Sequence, residues 1–327
     1  MEDVVKGIYP TIETKLDGGT NGTYSMVFAD EYFVYKVIYP RNDYKGIKSP
    51  KDAFEREIHN TKLLEEFGLN VPRIIQTRKV KTPEGEIYII KKEKINGYNL
   101  EEYLKKEDVP FSKKQNVVCK AVDYILKLQS IPANKVKQHK GLENLVTKRN
   151  LKSHKTGEQT TIIFDSRLSN FVYNPETDEI YLVDTETITK GNPYWDIGWF
   201  IADLSEIAIK NPKLLEIEKY ILLKTLIKYP KELSKAIEEI NAYKDNYFKM
   251  PRESGLEAYN ISFEQTDFQK GIVVVPLSTE EIEEIASKGE PTSEDTIVSD
   301  KITLSVPKGI AVMPTGISSS IEFFQWF

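Results

Sequence analysis

Between Ile8 and Ile38 the apolar residues come in short runs: Ile12 to Leu16, Tyr24 to Phe28 and Tyr32 to Ile38, with Gly18-Gly19-Thr20-Asn21-Gly22 between the first two. Runs of this length around a glycine-rich turn predict antiparallel strands. Lys51 to Phe67 changes period, carrying Phe54, Ile58, Leu63 and Leu64 ahead of Gly68, which predicts a helix with a glycine stop. Val71-Pro72 returns to extended chain. Ile74 to Val80 and Glu86 to Ile95, joined by Pro83-Glu84-Gly85, read as two further strands.

Beyond Gly97 the helical period dominates, first at Leu100 to Leu104 and then at Lys113 to Leu128 through Val117, Val118, Ala121 and Ile125. Two β-like runs interrupt it, Thr161 to Phe164 and Ile180 to Val183, with a turn at Asn174-Pro175-Glu176-Thr177-Asp178. Helical spacing resumes at Tyr194 to Ile209, Pro212 to Tyr229 and Lys231 to Tyr247. From Gly255 onward the pattern is β-rich again, with Gly271 to Pro276, Lys301 to Val306 and Ile310 to Met313 as strands, Thr279 to Ser287 as a helix and Lys288 to Asp300 as a long polar loop. The chain therefore reads as α+β: a small antiparallel unit with one helix at 1–96, a mainly helical unit at 97–251, and a β-rich C-terminal module at 252–327.

Composition narrows the class. At 327 residues, 40% hydrophobic and 29% charged, the chain is long enough for two or three packed units. Its net charge of −5 comes from 45 basic and 50 acidic side chains mixed along the chain, with no basic stripe, so nucleic acid is not an expected partner. Met1 to Gly7 carry two acids, and apolar runs such as Ile272 to Leu277 are too short for a bilayer; neither a leader nor a membrane span is expected. The single cysteine, Cys119, excludes an intrachain disulfide and suits a reducing compartment, hence a cytoplasmic location. In its helical context it reads as a small core residue.

Three groups of residues carry candidate chemistry. Gly18, Gly19 and Gly22 would let backbone amides approach phosphate oxygens, although a plain glycine-rich hairpin has the same look. Lys36 sits within the apolar strand Val34-Tyr35-Lys36-Val37, where a buried charge needs a partner; Glu57 on the following helix can supply one, whereas Glu55, two positions away, faces elsewhere. The alternative has Lys36 snorkelling at a strand edge. The most specific signal is Ile162-Ile163-Phe164-Asp165-Ser166-Arg167-Leu168-Ser169-Asn170, followed by Tyr181-Leu182-Val183-Asp184-Thr185-Glu186. Asp165, Asn170 and Asp184 each flank an apolar strand, an arrangement that gathers proton and metal ligands at one mouth. Phosphoryl transfer requires such a set: a carboxylate to orient a hydroxyl, and ligands for Mg²⁺ on the nucleotide phosphates. A hairpin with two capping polar residues is the bland reading.

The order of glycine turn, Val-x-Lys, helix glutamate, Asp-x4-Asn and Asp-x-Glu resembles the aminoglycoside phosphotransferase and choline kinase group of small-molecule kinases, from about Ile12 to Tyr247. Gly18-Gly19-Thr20-Asn21 with Tyr24, Leu69-Asn70-Val71-Pro72-Arg73, and Asn192-Pro193-Tyr194-Trp195-Asp196-Ile197-Gly198 are similar to further segments of that group. The resemblance implies a bilobal protein-kinase-like fold, ATP and Mg²⁺ as cofactors, and a small hydroxylated molecule as acceptor. It implies Asp165 as the residue meeting that hydroxyl, Asn170 and Asp184 as metal ligands, and Gly18, Gly19, Asn21, Gly22, Lys36 and Glu57 at the nucleotide. Glu93 to Ile95 would be a hinge reading adenine through backbone groups, and Asp196 would brace the catalytic loop.

Two departures accompany the likeness. Ile163 stands where the group carries histidine, and the glycine turn is one residue shorter. They keep in view a pseudokinase scaffold that recruits a protein partner through the C-terminal module. Arg167 stands where serine/threonine protein kinases often have lysine, and it joins Asp165 as a candidate catalytic residue with a protein substrate as the alternative. His59, His139 and His154 share no metal spacing. Tyr194, Trp195 and Trp199 fall at helical spacing and read as core, with a pocket for a cationic or sugar substrate as the alternative. Phe323-Phe324-Gln325-Trp326-Phe327 reads as a final buried strand.

Overall fold

The structure is a computed structural model that describes residues 2–12, 14–16, 25–40, 50–83, 85–137, 159–208, 212–229 and 238–243, together with short strands between 274 and 314. Five N-terminal strands form one antiparallel sheet: β1 (Thr14–Leu16), β2 (Ser25–Ala29), β3 (Phe33–Ile38), β4 (Ile74–Thr82) and β5 (Gly85–Glu93), in the spatial order β1-β2-β3-β5-β4. Helix α2 (Pro50–Glu66) connects β3 to β4, so β5 enters the sheet between them.

Both faces of this sheet are covered, and this shapes the sequence. Phe28, Tyr35, Val37, Ile87 and Ile89 point to one face, where they pack on Val5 of helix α1 (Glu2–Ile8) and on Ile12. Ile38, Tyr88 and Ile90 point to the other, against Ala53 and Phe54 of α2. Strands buried on both sides read as continuous apolar runs instead of alternating ones. Helix α1 was not expected; its 7 residues bury Val5 fully, too short a signal to register as a period. The glycine stop of α2 forms as expected: Gly68 takes φ +66°, its amide donates to Glu65 at 3.0 Å, and Leu69 donates to Leu64 at 2.9 Å. That pair of bonds satisfies carbonyls that a helix end leaves open.

The second unit starts with β6 (Tyr98–Asn99), whose Asn99 caps α3 (Leu100–Lys105) by accepting from Glu102 at 2.8 Å, and continues with α4 (Phe111–Leu128). Strand β7 (Thr160–Ile162) pairs antiparallel with β10 (Thr189–Gly191). The hairpin β8 (Phe171–Asn174) and β9 (Glu179–Leu182) pairs with β6. Helices α5 (Tyr194–Ala208) and α6 (Glu216–Lys228) pack on α4 around Val118, Ile125, Trp195, Phe200, Ile221 and Leu222. A 3-10 turn at Pro212–Leu215 replaces the start of the helix expected over Pro212 to Tyr229. The expected helix Lys231 to Tyr247 is described only at 238–243, where it is helical.

In the C-terminal part, β11 (Val274–Leu277) pairs parallel with β14 (Ala311–Pro314), and β12 (Thr296–Val298) pairs antiparallel with β13 (Thr303–Ser305). Strand β12 falls within the stretch expected to be a polar loop, a correction that follows from its Thr-Ile-Val core, a β-branched triplet. The expected helix Thr279 to Ser287, the terminal Phe323 to Phe327, and the turn bearing Gly18, Gly19, Asn21 and Gly22 lie outside the described residues. Among the described residues, no helix is long and apolar enough to cross a membrane.

Candidate active site

Register places the first charged cluster. In the β3–β5 pair, Lys36 lies opposite Ile90 and Val34 opposite Lys92, so both lysines rise from the face that α2 covers. Glu57, fully buried on α2, receives them on separate oxygens: Lys36 Nζ lies 3.2 Å from Oε2, and Lys92 Nζ donates to Oε1. Lys36 also lies 2.8 Å from Asp184 Oδ1 and 3.5 Å from Glu186 Oε2. Burial by itself would lower the pKa of Lys36, but the carboxylates of Asp184, Glu186 and Glu57 outweigh it and hold the ammonium well above the usual lysine value. The three carboxylates offer ligand atoms within 4.8 Å of one another.

The second cluster hangs on the β8–β9 hairpin. Phe171 pairs with Leu182, and just beyond that pair Val183 donates its amide to the Asn170 carbonyl at 3.0 Å, which sets Asn170 and Asp184 at the same end of the hairpin. Asn170 Nδ2 donates to the Asp165 carbonyl at 2.8 Å, and Arg167 Nε lies 3.0 Å from Asp165 Oδ1. Behind this loop Asp196, fully buried on α5, accepts from the Ile163 amide at 2.9 Å and the Phe164 amide at 3.1 Å. The Leu168 amide donates to Asp203 at 2.7 Å and Trp195 Nε1 to the Phe164 carbonyl at 2.8 Å. The loop from Ile163 to Asn170 is thus oriented from below by one helix.

No protein-family profile matches the chain, and no curated protein matches it. Solved structures do. The aminoglycoside-3'-phosphotransferase of type VIII is 14% identical with a TM-score of 0.53, over 76% of this chain and 97% of that one. A GDP complex of a point mutant of the aminoglycoside 2'-phosphotransferase IIIa is 14% identical with a TM-score of 0.51, over 75% and 86%. The aminoglycoside phosphotransferase APH(3'')-Id from Streptomyces rimosus is 13% identical with a TM-score of 0.50, over 70% and 91%. The chain has the protein-kinase-like fold of the aminoglycoside phosphotransferases. The sheet unit is its N-lobe and the helical unit its C-lobe.

Across the lobes, α2 is fastened to the segment that follows Asp184. Asn60 Nδ2 donates to the Thr185 carbonyl at 2.7 Å, and the hydroxyls of Thr61 and Thr185 meet at 2.9 Å. Arg56 donates to the carbonyls of Glu186 at 3.0 Å, Lys137 at 3.2 Å and Ile188 at 2.6 Å. Of the residues singled out in the sequence, Lys36, Glu57 and Asp184 meet in one cluster, and Asp165, Arg167 and Asn170 meet in the adjoining one. Glu93 ends β5 and Ile95 lies two residues beyond it; the amides of Glu93 and Lys94 donate to the carbonyls of Arg73 and Tyr32. Glu55 faces solvent, and His59, also exposed, lies within hydrogen-bond distance of the Lys135 carbonyl. Trp195 and Trp199 stack at 5.1 Å, fully or almost fully buried, as core.

Sequence reasoning missed Lys92, Arg56 and Thr185. Lys92 is in step with the buried Tyr88 and Ile90, but Lys91 is equally in step with the buried Ile87 and Ile89, so the alternation that marked Lys36 did not separate the two. Arg56 and Thr185 act through backbone carbonyls and a shared hydroxyl, which leave no mark in composition.

Proposed function

We propose that this protein transfers the γ-phosphoryl group of ATP to a hydroxyl of a small molecule. The observation that carries the reading is the joining of Asp165, Asn170 and Asp184 at one end of the β8–β9 hairpin, directly beside the Lys36–Glu57 pair. Phosphoryl transfer asks little covalent chemistry of a protein; it needs placement and compensation of charge. The Asp165 carboxylate, part-exposed, would accept or orient the acceptor hydroxyl proton, with Asn170 holding its backbone and Arg167 offsetting its charge toward the incoming phosphate. Lys36 would direct its ammonium at the nucleotide phosphates.

The donors suit magnesium. Glu57 has each oxygen on a lysine, whereas Asp184 keeps 27% of its side chain open, so Asp184 with Asn170 would hold the ion. Bound there, Mg²⁺ would supply positive charge against the nucleotide phosphates. That a similar structure is a GDP complex supports nucleotide use by this chain. The missing histidine at Ile163 speaks less for a pseudokinase once its setting is seen: Ile163 is fully buried, and Asp196 orients the loop through the backbone of Ile163 and Phe164.

The test is ATP turnover against hydroxylated metabolites and, separately, mixed proteins. Asp165→Ala should keep Mg²⁺-dependent nucleotide binding and lose transfer by roughly 10²–10⁴-fold, while Asp184→Ala should weaken the binding itself. Phosphorylation by both variants at the parent's rate would remove the assignment.

A further inference from the structure

Glu57 is shared by two lysines, and only one of them has a place in the function proposed above. Lys92 is 3% exposed, its ammonium bound to Glu57 Oε1 and 3.3 Å from the carbonyl of Val183, the residue before Asp184. A buried ammonium is costly unless its partners are charged or well placed, so a surface role for this lysine is excluded. Its contacts draw together strand β5, helix α2 and the segment entering Asp184, one from each side of the cleft and one from the connecting helix. Lys36, by contrast, divides its charge among Glu57, Asp184 and Glu186.

The difference matters when a nucleotide arrives. If Lys36 turns toward phosphates, its hold on Glu57 weakens, and a fully buried carboxylate with one cation would be left exposed to repulsion from Asp184 and Glu186. Counting Lys36, Lys92, Glu57, Asp184 and Glu186, two ammonium groups face three carboxylates, and without Lys92 one ammonium faces three, while Arg56 adds its positive field on the Glu186 side in either case. Because Lys92 and Lys36 use different oxygens of Glu57, the first can stay while the second moves.

Resting on the nucleotide-binding reading above, we infer that Lys92 is a positioning residue: it holds Glu57 and the Val183–Asp184 backbone in place so that Lys36 is released to the phosphates. It touches no reacting atom and acts through Glu57.

The experiment is a cycle of Lys92→Met, Glu57→Gln and the double variant, with Lys92→Arg as rescue, read as Mg–ATP affinity well below each protein's melting temperature. Lys92→Met should weaken Mg–ATP binding by about tenfold, Lys92→Arg should restore most of it, and the double variant should bind no worse than Glu57→Gln alone. Parent-like affinity of Lys92→Met, or losses that multiply across the cycle, would overturn the inference. If the parent itself binds no Mg–ATP, the nucleotide reading fails on its own, and the same cycle in melting temperatures judges Lys92, with additive losses counting against it.

Discussion

Phe164 sits at φ 70°, in the left-handed region, and Asp196 accepts its amide at 3.1 Å while also accepting that of Ile163 at 2.9 Å. A bulky side chain in that region is strained by about 1 kcal/mol or more. The strain is offset by packing, since the ring lies 5.5 Å from that of Trp195 and 6.1 Å from that of Trp199. Removing the ring by Phe164→Ala keeps the strain, and by Phe164→Gly removes it. The glycine variant should therefore be the more stable of the two by about 1 kcal/mol in denaturant melts, the reverse of the usual alanine-over-glycine order.

Burial pushes the Asp196 carboxyl up to about 7, against the downward pull of the Ile163 and Phe164 amides and of Gln129. With the folded value above the ordinary 3.8, the folded chain binds the extra proton between them, so this group's stabilisation is complete below 3.8 and is lost as pH rises through about 7. Its share of the slope is at most about 1.4 kcal/mol per pH unit. Asp196→Asn should flatten the fall in melting temperature between roughly pH 4 and pH 7 relative to the parent. Identical slopes would deny the shift.

Gly97 enters the C-lobe hard against β8. A Cβ at this position would come within 2.9 Å of the Tyr173 carbonyl carbon and closer still to its oxygen, both backbone atoms that cannot swing away. Gly97→Ala should cost about 1–3 kcal/mol in chemical denaturation. A neutral substitution would mean that the strand gives way freely.

Arg56 spans three carbonyls of two segments with one planar fork. Arg56→Ala should destabilise by about 2–3 kcal/mol. Arg56→Lys should recover little, because an ammonium cannot serve acceptors so spread. Full rescue by lysine would reduce Arg56 to a simple charge.

Much of the architecture was legible in the chain. The strand runs around Tyr35 and Ile89, the glycine stop at Gly68 and the helical spacing from Val117 to Leu128 all rest on local chemistry, and each forms. Helix α1 and strand β10 were not legible, since a single buried valine and a Thr-Lys-Gly triplet have no period of their own. In the site, Lys36 stood out because a charge within an apolar strand is anomalous. Lys92 followed Lys91, and nothing local says which of two neighbouring lysines turns inward.

The sequence alone determined the order of elements and the residue types available for phosphate chemistry, because period, turn residues and charge are properties of neighbours along the chain. Tertiary structure alone decided that Glu57 serves two lysines, that Asn170 ties the Asp165 backbone to Val183 beside Asp184, and that Asp196 holds a loop 33 residues away in sequence. Strand register and the docking of α2 and α5 set those distances, and both arise from packing between segments remote in the chain.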